Sequence, residues 1–144
     1  SNFSLTDYES KHNLRYWQGL DYIGIGAGAH SYIKDNGWGK RLWNEEDIFK
    51  YMDKIERDGN ATSGMETLTK DKAISECMFL GLRQTGGLSV RQFFERFDLS
   101  LNDRYAGIIP DLKNNGLIEF DGDVLKLTEK GLVLSDAVFA NFFN

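Results

Sequence analysis

The sequence predicts an α+β fold, mainly helical, whose C-terminal part has a winged-helix-like order of elements. From Glu45 onward, helix caps and amphipathic runs follow one another, whereas the first 44 residues are rich in Gly, Trp, Tyr and His and show no helical period. Within the helical part, an Asp-Gly turn separates two short apolar runs and predicts a hairpin. We therefore place a domain boundary near residue 44 and divide the chain into residues 1–44 and 45–144.

Composition and charge limit the possible functions. Of the 144 residues, 41% are hydrophobic, which provides enough apolar surface for a packed core. The net charge of −5 is spread without long blocks of one sign, so we expect no nucleic-acid partner. A single cysteine, Cys77, excludes an internal disulfide and an all-thiolate iron–sulfur site within this chain. No apolar run has the length of a membrane span, and a cytoplasmic location is the default expectation.

The first part of the chain contains one apolar run of strand character. Residues 22–26 (Tyr-Ile-Gly-Ile-Gly) are largely apolar and partly β-branched, and we predict a buried strand there. Residues 27–31 then leave the sheet as a loop. Asn36-Gly37-Trp38-Gly39 is a turn signal, and residues 40–43 are predicted as a second extended segment.

Caps and an apolar stripe define the next two helices. Asn44 is the predicted N-cap of a helix over residues 45–57, which ends at Asp58-Gly59. The apolar stripe of this helix consists of Ile48, Tyr51, Met52 and Ile55. Thr69 is the predicted cap of the following helix, in which Cys77 is expected to be a core residue.

Two capping boxes predict the starts of two further helices. Ser89 with Gln92 opens the first, and Ser100 with Asp103 opens the second. Pro110 lies inside the second helix and predicts a kink or a split, because proline cannot donate the backbone hydrogen bond of a helix interior.

A hairpin and a closing helix complete the pattern. Asp-Gly at positions 121–122 predicts a tight turn between strands over residues 117–120 and 124–127, and Thr128 is the predicted cap of the last helix. Three helices, a two-stranded wing and a closing helix give the winged-helix order. Basic and acidic residues are balanced on the third helix, so DNA reading is not favoured.

Two segments hold both histidines of the chain. The first, residues 12–17, places His12 near Tyr16 and Trp17, and a neutral imidazole is a good axial ligand for haem iron. The alternative is that His12 and Asn13 cap a turn while the aromatic residues fill a core. Both interpretations stay open on composition alone.

The second segment, residues 24–31, alternates glycine with small residues before His30. Its Gly-x-Gly-x-Gly spacing differs from a dinucleotide fingerprint, and no clear helix follows. Glycines on a strand and its exit allow a cofactor to approach the backbone of residues 26–30, but they equally allow tight packing against a helix. Acid/base pairs, a Ser-His-Asp order, a phosphate loop and zinc spacing are not found in the sequence.

Specific motifs carry a family resemblance. His-Asn-x-x-Tyr-Trp at residues 12–17, followed by residues 21–31 (Asp-Tyr-Ile-Gly-Ile-Gly-Ala-Gly-Ala-His-Ser), resembles the HemN/HemW family of radical S-adenosylmethionine (SAM) proteins. This family contains the oxygen-independent coproporphyrinogen III oxidases and a haem-chaperone branch, and the motif at residues 12–17 favours the chaperone branch. The likeness extends more loosely through residues 41–44 and 127–131 and so covers nearly the whole chain.

The resemblance implies a longer parent protein. Its N-terminal radical-SAM domain, a partial (β/α) barrel, would bind SAM and a [4Fe–4S] cluster through a Cys-x-x-x-Cys-x-x-Cys motif that this chain lacks. Residues 1–44 would be the terminal strand and loop region of that barrel, and residues 45–144 the HemN-type C-terminal domain over its open face. By itself the chain is not expected to cleave SAM.

The resemblance also implies two sets of binding residues. Those associated with haem in the chaperone branch are His12, Asn13, Tyr16 and Trp17, with His12 as the iron ligand. Those expected to line the SAM cavity or to contact haem are Gly26, Gly28, Ala29 and His30. The oxidase branch has an apolar residue at the position of His30, so a SAM contact there is confined to the backbone.

Three functions are therefore expected, in this order. The first is a haem chaperone that works with its own N-terminal radical-SAM domain and delivers haem to haem-requiring respiratory proteins. The second is an oxygen-independent coproporphyrinogen III oxidase of porphyrin biosynthesis. The third is a non-catalytic winged-helix interaction module. The parent is expected in the cytoplasm, with peripheral attachment to the membrane as a further option.

Overall fold

The computed structural model describes residue 5, residue 8 and residues 10–143, without the side chains of His12 and Trp17. The helices are α1 (Lys11–Trp17), α2 (Ile48–Asp58), α3 (Lys70–Leu82), α4 (Val90–Phe97), α5 (Leu101–Arg104), α6 (Ile108–Asn114), α7 (Glu129–Val133) and α8 (Ser135–Ala140). The strands are β1 (His30–Ile33), β2 (Lys40–Asn44), β3 (Thr62–Thr67), β4 (Leu88–Ser89), β5 (Ile118–Asp121) and β6 (Val124–Leu127). The predicted α+β, mainly helical class is confirmed.

The chain forms two compact units. The first ends at Thr69, and the second begins at Lys70. The boundary predicted near residue 44 falls inside the first unit, where β2 ends. The assignment of residues 1–44 to the end of a barrel stays a prediction.

The first unit is built on a three-stranded antiparallel sheet in the order β1-β2-β3. The predicted extended segment at residues 40–43 is confirmed as β2, whereas β3 was not predicted because Thr-Ser-Gly-Met-Glu-Thr lacks a clear apolar alternation. Trp43 of β2 pairs with Gly64 of β3, and the indole lies where a side chain at Gly64 would stand. The glycine therefore makes room for the tryptophan ring.

The predicted buried strand over residues 22–26 is wrong. Only Tyr22 pairs, through an isolated antiparallel bridge with Tyr32, while Ile23 and Ile25 are 76% and 89% exposed. Beyond the bridge the backbone does not continue as a strand ladder. The Gly24 amide instead donates a hydrogen bond to the Ser31 hydroxyl at 3.0 Å. The predicted loop at residues 27–31 is shorter than expected, since β1 already begins at His30.

The start of α2 also differs from the prediction. Asn44 belongs to β2, and the N-cap is Asp47, whose carboxylate accepts hydrogen bonds from the amides of Phe49 and Lys50, each at 3.0 Å. The predicted end is confirmed, with Gly59 in the left-handed region at φ 68°. None of the α2 residues is fully buried: of its predicted apolar stripe, Ile48, Met52 and Ile55 are exposed and Tyr51 is half-buried.

The second unit follows the predicted order of elements. It contains a three-stranded antiparallel sheet in the order β4-β6-β5, and Ser89, Ser100 and Thr128 cap α4, α5 and α7 as predicted. The predicted closing helix is split into α7 and α8. The third predicted helix is split into α5 and α6, with Pro110 in the first turn of α6, where a missing amide hydrogen costs least. Its most deeply buried large side chains are Phe93, Phe97, Phe142, Ile74, Met78, Leu82, Leu101, Ile118, Leu125 and Val138.

A carboxylate at the turn between β5 and β6 is hydrogen-bonded to the N-terminus of α4. The Ser89 hydroxyl donates to Asp123 Oδ2 at 2.6 Å, and the Arg91 amide donates to Asp123 Oδ1 at 3.1 Å. The Val90 amide adds a bond to the Asp123 carbonyl oxygen at 2.8 Å. Asp123 therefore links the turn between β5 and β6 to the N-terminus of α4.

We expect Asp123→Ala to lower the free energy of unfolding by about 1–2 kcal/mol, because α4 loses two hydrogen bonds at its first turn. Asp121→Ala is the matched control, since it removes the exposed ion pair of Asp121 with Lys126 at 3.0 Å and should cost less than about 1 kcal/mol. Urea denaturation followed by far-ultraviolet circular dichroism measures both values. Equal losses in the two variants would contradict a special role of Asp123.

Cys77 on α3 is half-buried, and burial raises the pKa of its thiol, with Arg96 acting in the opposite direction. A raised pKa lowers the thiolate fraction at pH 8, so alkylation by iodoacetamide should be slower in the folded chain than in urea. The folded rate should keep rising above the pH at which a free thiol is fully ionised. Because the sequence has one cysteine, the unfolded chain is its own control, and equal rates in both states would refute the prediction.

Candidate functional site

The first predicted segment lies on a helix and not on a turn. Ser10 is the N-cap of α1, and its hydroxyl accepts a hydrogen bond from the Asn13 amide at 3.4 Å, so the cap is Ser10 and not Asn13. Asn13 is half-buried, and Tyr16, three residues later on the same side of the helix, is 41% exposed. The side chains of His12 and Trp17 lie outside the described part of the structure.

A row of three tyrosines connects this helix to the sheet. The Tyr16 ring lies 5.4 Å from the Tyr22 ring, and the Tyr22 ring stacks on Tyr32 at 6.3 Å between centroids. Tyr32 is only 6% exposed and anchors the row in β1. Helix α1, which carries the first predicted segment, therefore contacts Tyr22, two residues before the second segment begins.

Four hydrogen bonds shape the loop formed by residues 26–29, which we call the glycine loop. The Asn44 side-chain amide donates to the Gly26 carbonyl oxygen at 2.9 Å, and the Asn44 backbone amide donates to the Ala29 carbonyl oxygen at 3.0 Å. The Gly28 amide donates to the Glu45 carbonyl oxygen at 2.8 Å, and Ala29 closes the turn on Gly26 at 3.3 Å. Gly26 and Gly28 have φ of 112° and 67°, which explains the glycine spacing of the sequence.

His30 follows the glycine loop and begins β1. The residue is exposed, and its imidazole centroid lies 6.4 Å from the centroid of the Trp43 indole, at an interplanar angle of 36°. His30 and Trp43 are direct partners in the ladder between β1 and β2. Gly24 lies so close to the His30 carbonyl group that a side chain there would overlap it. The sheet and the loop thus hold the backbone of His30 from both sides.

Two exposed isoleucines precede the glycine loop. Ile23 and Ile25 are exposed, and the space where a side chain would stand at Gly26 is open. In general, a neutral imidazole can ligate a metal ion, and exposed apolar side chains favour contact with an apolar ligand. The segment thus combines an exposed imidazole with exposed apolar side chains a few residues earlier in the sequence.

Charge links the glycine loop to α2. Glu45, whose carbonyl oxygen binds Gly28, also accepts a hydrogen bond from Lys54 of α2 at 3.2 Å through its carboxylate. This contact with Lys54 holds the pKa of the Glu45 carboxyl below its usual range. Glu45 therefore contacts both the glycine loop, through its carbonyl oxygen, and α2, through its carboxylate.

Asn44 is the residue of this site that sequence reasoning placed incorrectly. Its signal was present, since Arg41-Leu42-Trp43-Asn44 belongs to the matching motif, but Asn before acidic residues is also typical of a helix N-cap. Among the described residues, no group of three or more His, Cys, Asp or Glu side chains is arranged to hold a metal ion. Each of the helices that the structure describes falls short of the length and apolar character of a membrane span.

Comparisons with known proteins agree on one family. Residues 68–134 match the model of the HemN C-terminal domain. The chain is 39% identical over 142 residues to the Heme chaperone HemW of Bacillus subtilis, and the match covers 99% of this chain and 36% of that protein. It is 37% identical over 142 residues to the Heme chaperone HemW of Lactococcus lactis, with the same two coverages.

A solved structure shows the same fold. Coproporphyrinogen III oxidase (HemN) from Escherichia coli, described as a radical SAM enzyme, matches 87% of this chain and 29% of its own length with a TM-score of 0.70 at 24% sequence identity. The chain spans about a third of the length of the curated relatives it matches. The chain thus belongs to the HemN/HemW family and includes that family's C-terminal domain at residues 68–134.

Proposed function

We propose that this chain is the C-terminal part of a haem chaperone, which binds haem as cargo and delivers it to haem proteins. One observation carries the proposal: the exposed imidazole of His30 lies 6.4 Å from the Trp43 ring at the end of the glycine loop, and two exposed isoleucines precede that loop. The high identity to proteins named Heme chaperone HemW, over nearly all of this chain, supports the same function.

The chemistry of haem suits this surface. Haem offers a broad apolar plane and an iron with two axial positions, for which neutral imidazole is a common ligand. Covering Ile23 and Ile25 with the plane would remove apolar area from water at roughly 25 cal/mol per Å². Trp43 limits the orientations of the His30 ring, so less rotamer entropy would be lost when the iron is bound.

The motif on α1 is the second part of the proposed site. We propose His12 as an iron ligand, with Asn13, Tyr16 and Trp17 as further contacts, as the family resemblance implies. The exposed ring of Tyr16 supports this assignment, because 41% of the residue is accessible to a ligand. The tyrosine row connects α1 with β1, so both histidine segments belong to one folded unit.

The proposal includes a longer parent protein with an N-terminal radical-SAM domain, where SAM and a [4Fe–4S] cluster would bind. In it, residues 1–44 would be the last strand and loop region of the barrel, and residues 45–144 the covering domain. The backbone of Gly26, Gly28 and Ala29 would then face the SAM cavity. The match to 36% of the length of the Bacillus subtilis relative supports a longer parent.

The alternative, an oxygen-independent coproporphyrinogen III oxidase, is favoured by the fold likeness to HemN. A likeness at 24% identity extends to the fold alone. The two functions differ in what the parent protein would do with SAM and a reductant. An oxidase would convert coproporphyrinogen III to protoporphyrinogen, whereas a chaperone would bind haem and transfer it unchanged.

We expect the chain to bind haemin saturably in a titration followed by absorbance, and His12→Ala and His30→Ala each to weaken binding about tenfold or more. The reason is that each substitution removes an imidazole that we propose as a contact of haem. The sequence contains two histidines, so the double variant leaves no imidazole and serves as the reference for nonspecific adsorption.

The outcomes separate the parts of the proposal. Loss of saturable binding in only one single variant would assign the iron ligand to that histidine. Equal binding by the wild-type chain, both single variants and the double variant would contradict the proposed site. The oxidase hypothesis would then be tested by assaying the cluster-loaded parent protein for conversion of coproporphyrinogen III to protoporphyrinogen.

The apolar surface has its own test. Ile25→Ser should weaken haemin binding several-fold, because the exposed isoleucine, 89% accessible, would no longer contribute apolar contact to the porphyrin. Ile48→Ser is the matched control, since Ile48 is an exposed isoleucine of α2 at 58% accessibility. Fluorescence quenching of the tryptophans measures both affinities, and an equal loss in the two variants would refute a specific contact at Ile25.

A further inference from the structure

Asn44 is the residue that connects the glycine loop to the sheet. We propose that Asn44 is a positioning residue, which holds the glycine loop so that His30 is presented beside Trp43 to a planar ligand. This inference rests on the proposed function, because it assumes that the ligand presented to His30 is haem. Asn44 itself is not proposed to touch the ligand.

Asn44 holds the glycine loop at both ends. Its side-chain amide bonds to the carbonyl oxygen of Gly26, the first residue of the loop, at 2.9 Å. Its backbone amide bonds to the carbonyl oxygen of Ala29, the residue before His30, at 3.0 Å. A displacement of the loop would therefore break a bond to Asn44 before it moved the backbone of His30.

Asn44 and Trp43 are adjacent residues at the end of β2. The pairing between β2 and β3 shifts register between them, so that Trp43 pairs with Gly64 and Asn44 with Thr62, and Ser63 of β3 is the extra residue. Successive residues of a strand point to opposite faces, so Trp43 can contact His30 while Asn44 bonds to the glycine loop.

The conformation of the glycine loop depends on hydrogen bonds to residues outside the loop, such as the one to the Asn44 side chain. Gly26 and Gly28 adopt positive φ angles, and glycine loses more conformational freedom on ordering than any other residue. Three bonds remain without the Asn44 side chain: those from the Asn44 backbone amide to Ala29, from Gly28 to Glu45 and from Ala29 to Gly26. We therefore expect the unit to stay folded when the side-chain donor is removed, while the glycine loop and His30 become less well positioned.

Asn44→Asp is the sharpest variant, because it keeps the size of the side chain but places a carboxylate against the Gly26 carbonyl oxygen. Haemin affinity should fall roughly tenfold, as expected for one lost hydrogen bond with an unsatisfied acceptor. Asn60→Asp is the matched control. The Asn60 side-chain oxygen accepts a hydrogen bond from the Thr62 amide at 2.8 Å, and a carboxylate can still accept that bond.

A double-mutant cycle separates positioning from a general effect on the fold. If Asn44 acts through His30, the double variant Asn44→Asp/His30→Ala should bind haemin as His30→Ala does. Losses that multiply in the double variant would overturn the proposal. If circular dichroism shows that Asn44→Asp does not fold, Asn44→Ala replaces it, since alanine removes the donor without adding charge.

A second measurement decides the proposal without haem. In a His12→Ala background, the imidazole observed by nuclear magnetic resonance is that of His30, and the ring current of the Trp43 indole should shift the His30 signals. Asn44→Asp should reduce that ring-current shift, and Asn60→Asp should leave it unchanged. An unchanged His30 signal in Asn44→Asp would overturn the positioning role whether or not haemin binds. Absent haemin binding with a reduced shift would instead refute the proposed function and keep the positioning role.

Discussion

The candidate site depends above all on the hydrogen bonds between the glycine loop and residues 44–45 at the end of β2. Without these bonds, two glycines with positive φ would have no fixed conformation, and His30 would be held from the sheet side alone. The sheet contributes the other half of the constraint, since Trp43 pairs with His30 on one side and with Gly64 on the other. A short segment of β2 thus determines both the shape of the loop and the surroundings of the imidazole.

In the second unit, polar side chains also hold turns through hydrogen bonds to backbone groups. There, Asp123 of a hairpin turn reaches the first turn of α4, and the Thr128 hydroxyl accepts a bond from the Gly131 amide at 3.0 Å and donates to the Gly116 carbonyl oxygen at 2.7 Å. In both units, a polar side chain next to a strand end satisfies backbone groups that regular structure leaves unpaired. These contacts set the positions of the turns relative to the elements beside them.

The sequence predicted the features that depend on neighbours along the chain. Ser89, Ser100, Thr128 and Gly59 act as predicted because a cap bonds to amides or carbonyls within four residues, so its pattern is complete in a short window. A strand at residues 22–26 would instead have required a pairing strand, which the local sequence pattern does not identify. In the structure, the Gly24 amide and the Gly26 carbonyl oxygen bond to the side chains of Ser31 and Asn44. For the same reason β3 was missed, since its residues pair only because β2 offers an edge.

The candidate site was predictable in part for similar reasons. The glycines and His30 were recognisable from local spacing, but the role of Asn44 depends on a partner 18 positions earlier, and it was mistaken for a cap. For the proposed chaperone, which would have to release its cargo, the exposure of His30 would give a recipient protein access to the bound ligand. Affinity in such a site comes from a few positioned contacts, so the loop's conformation, more than the buried area, would set how tightly haem is held.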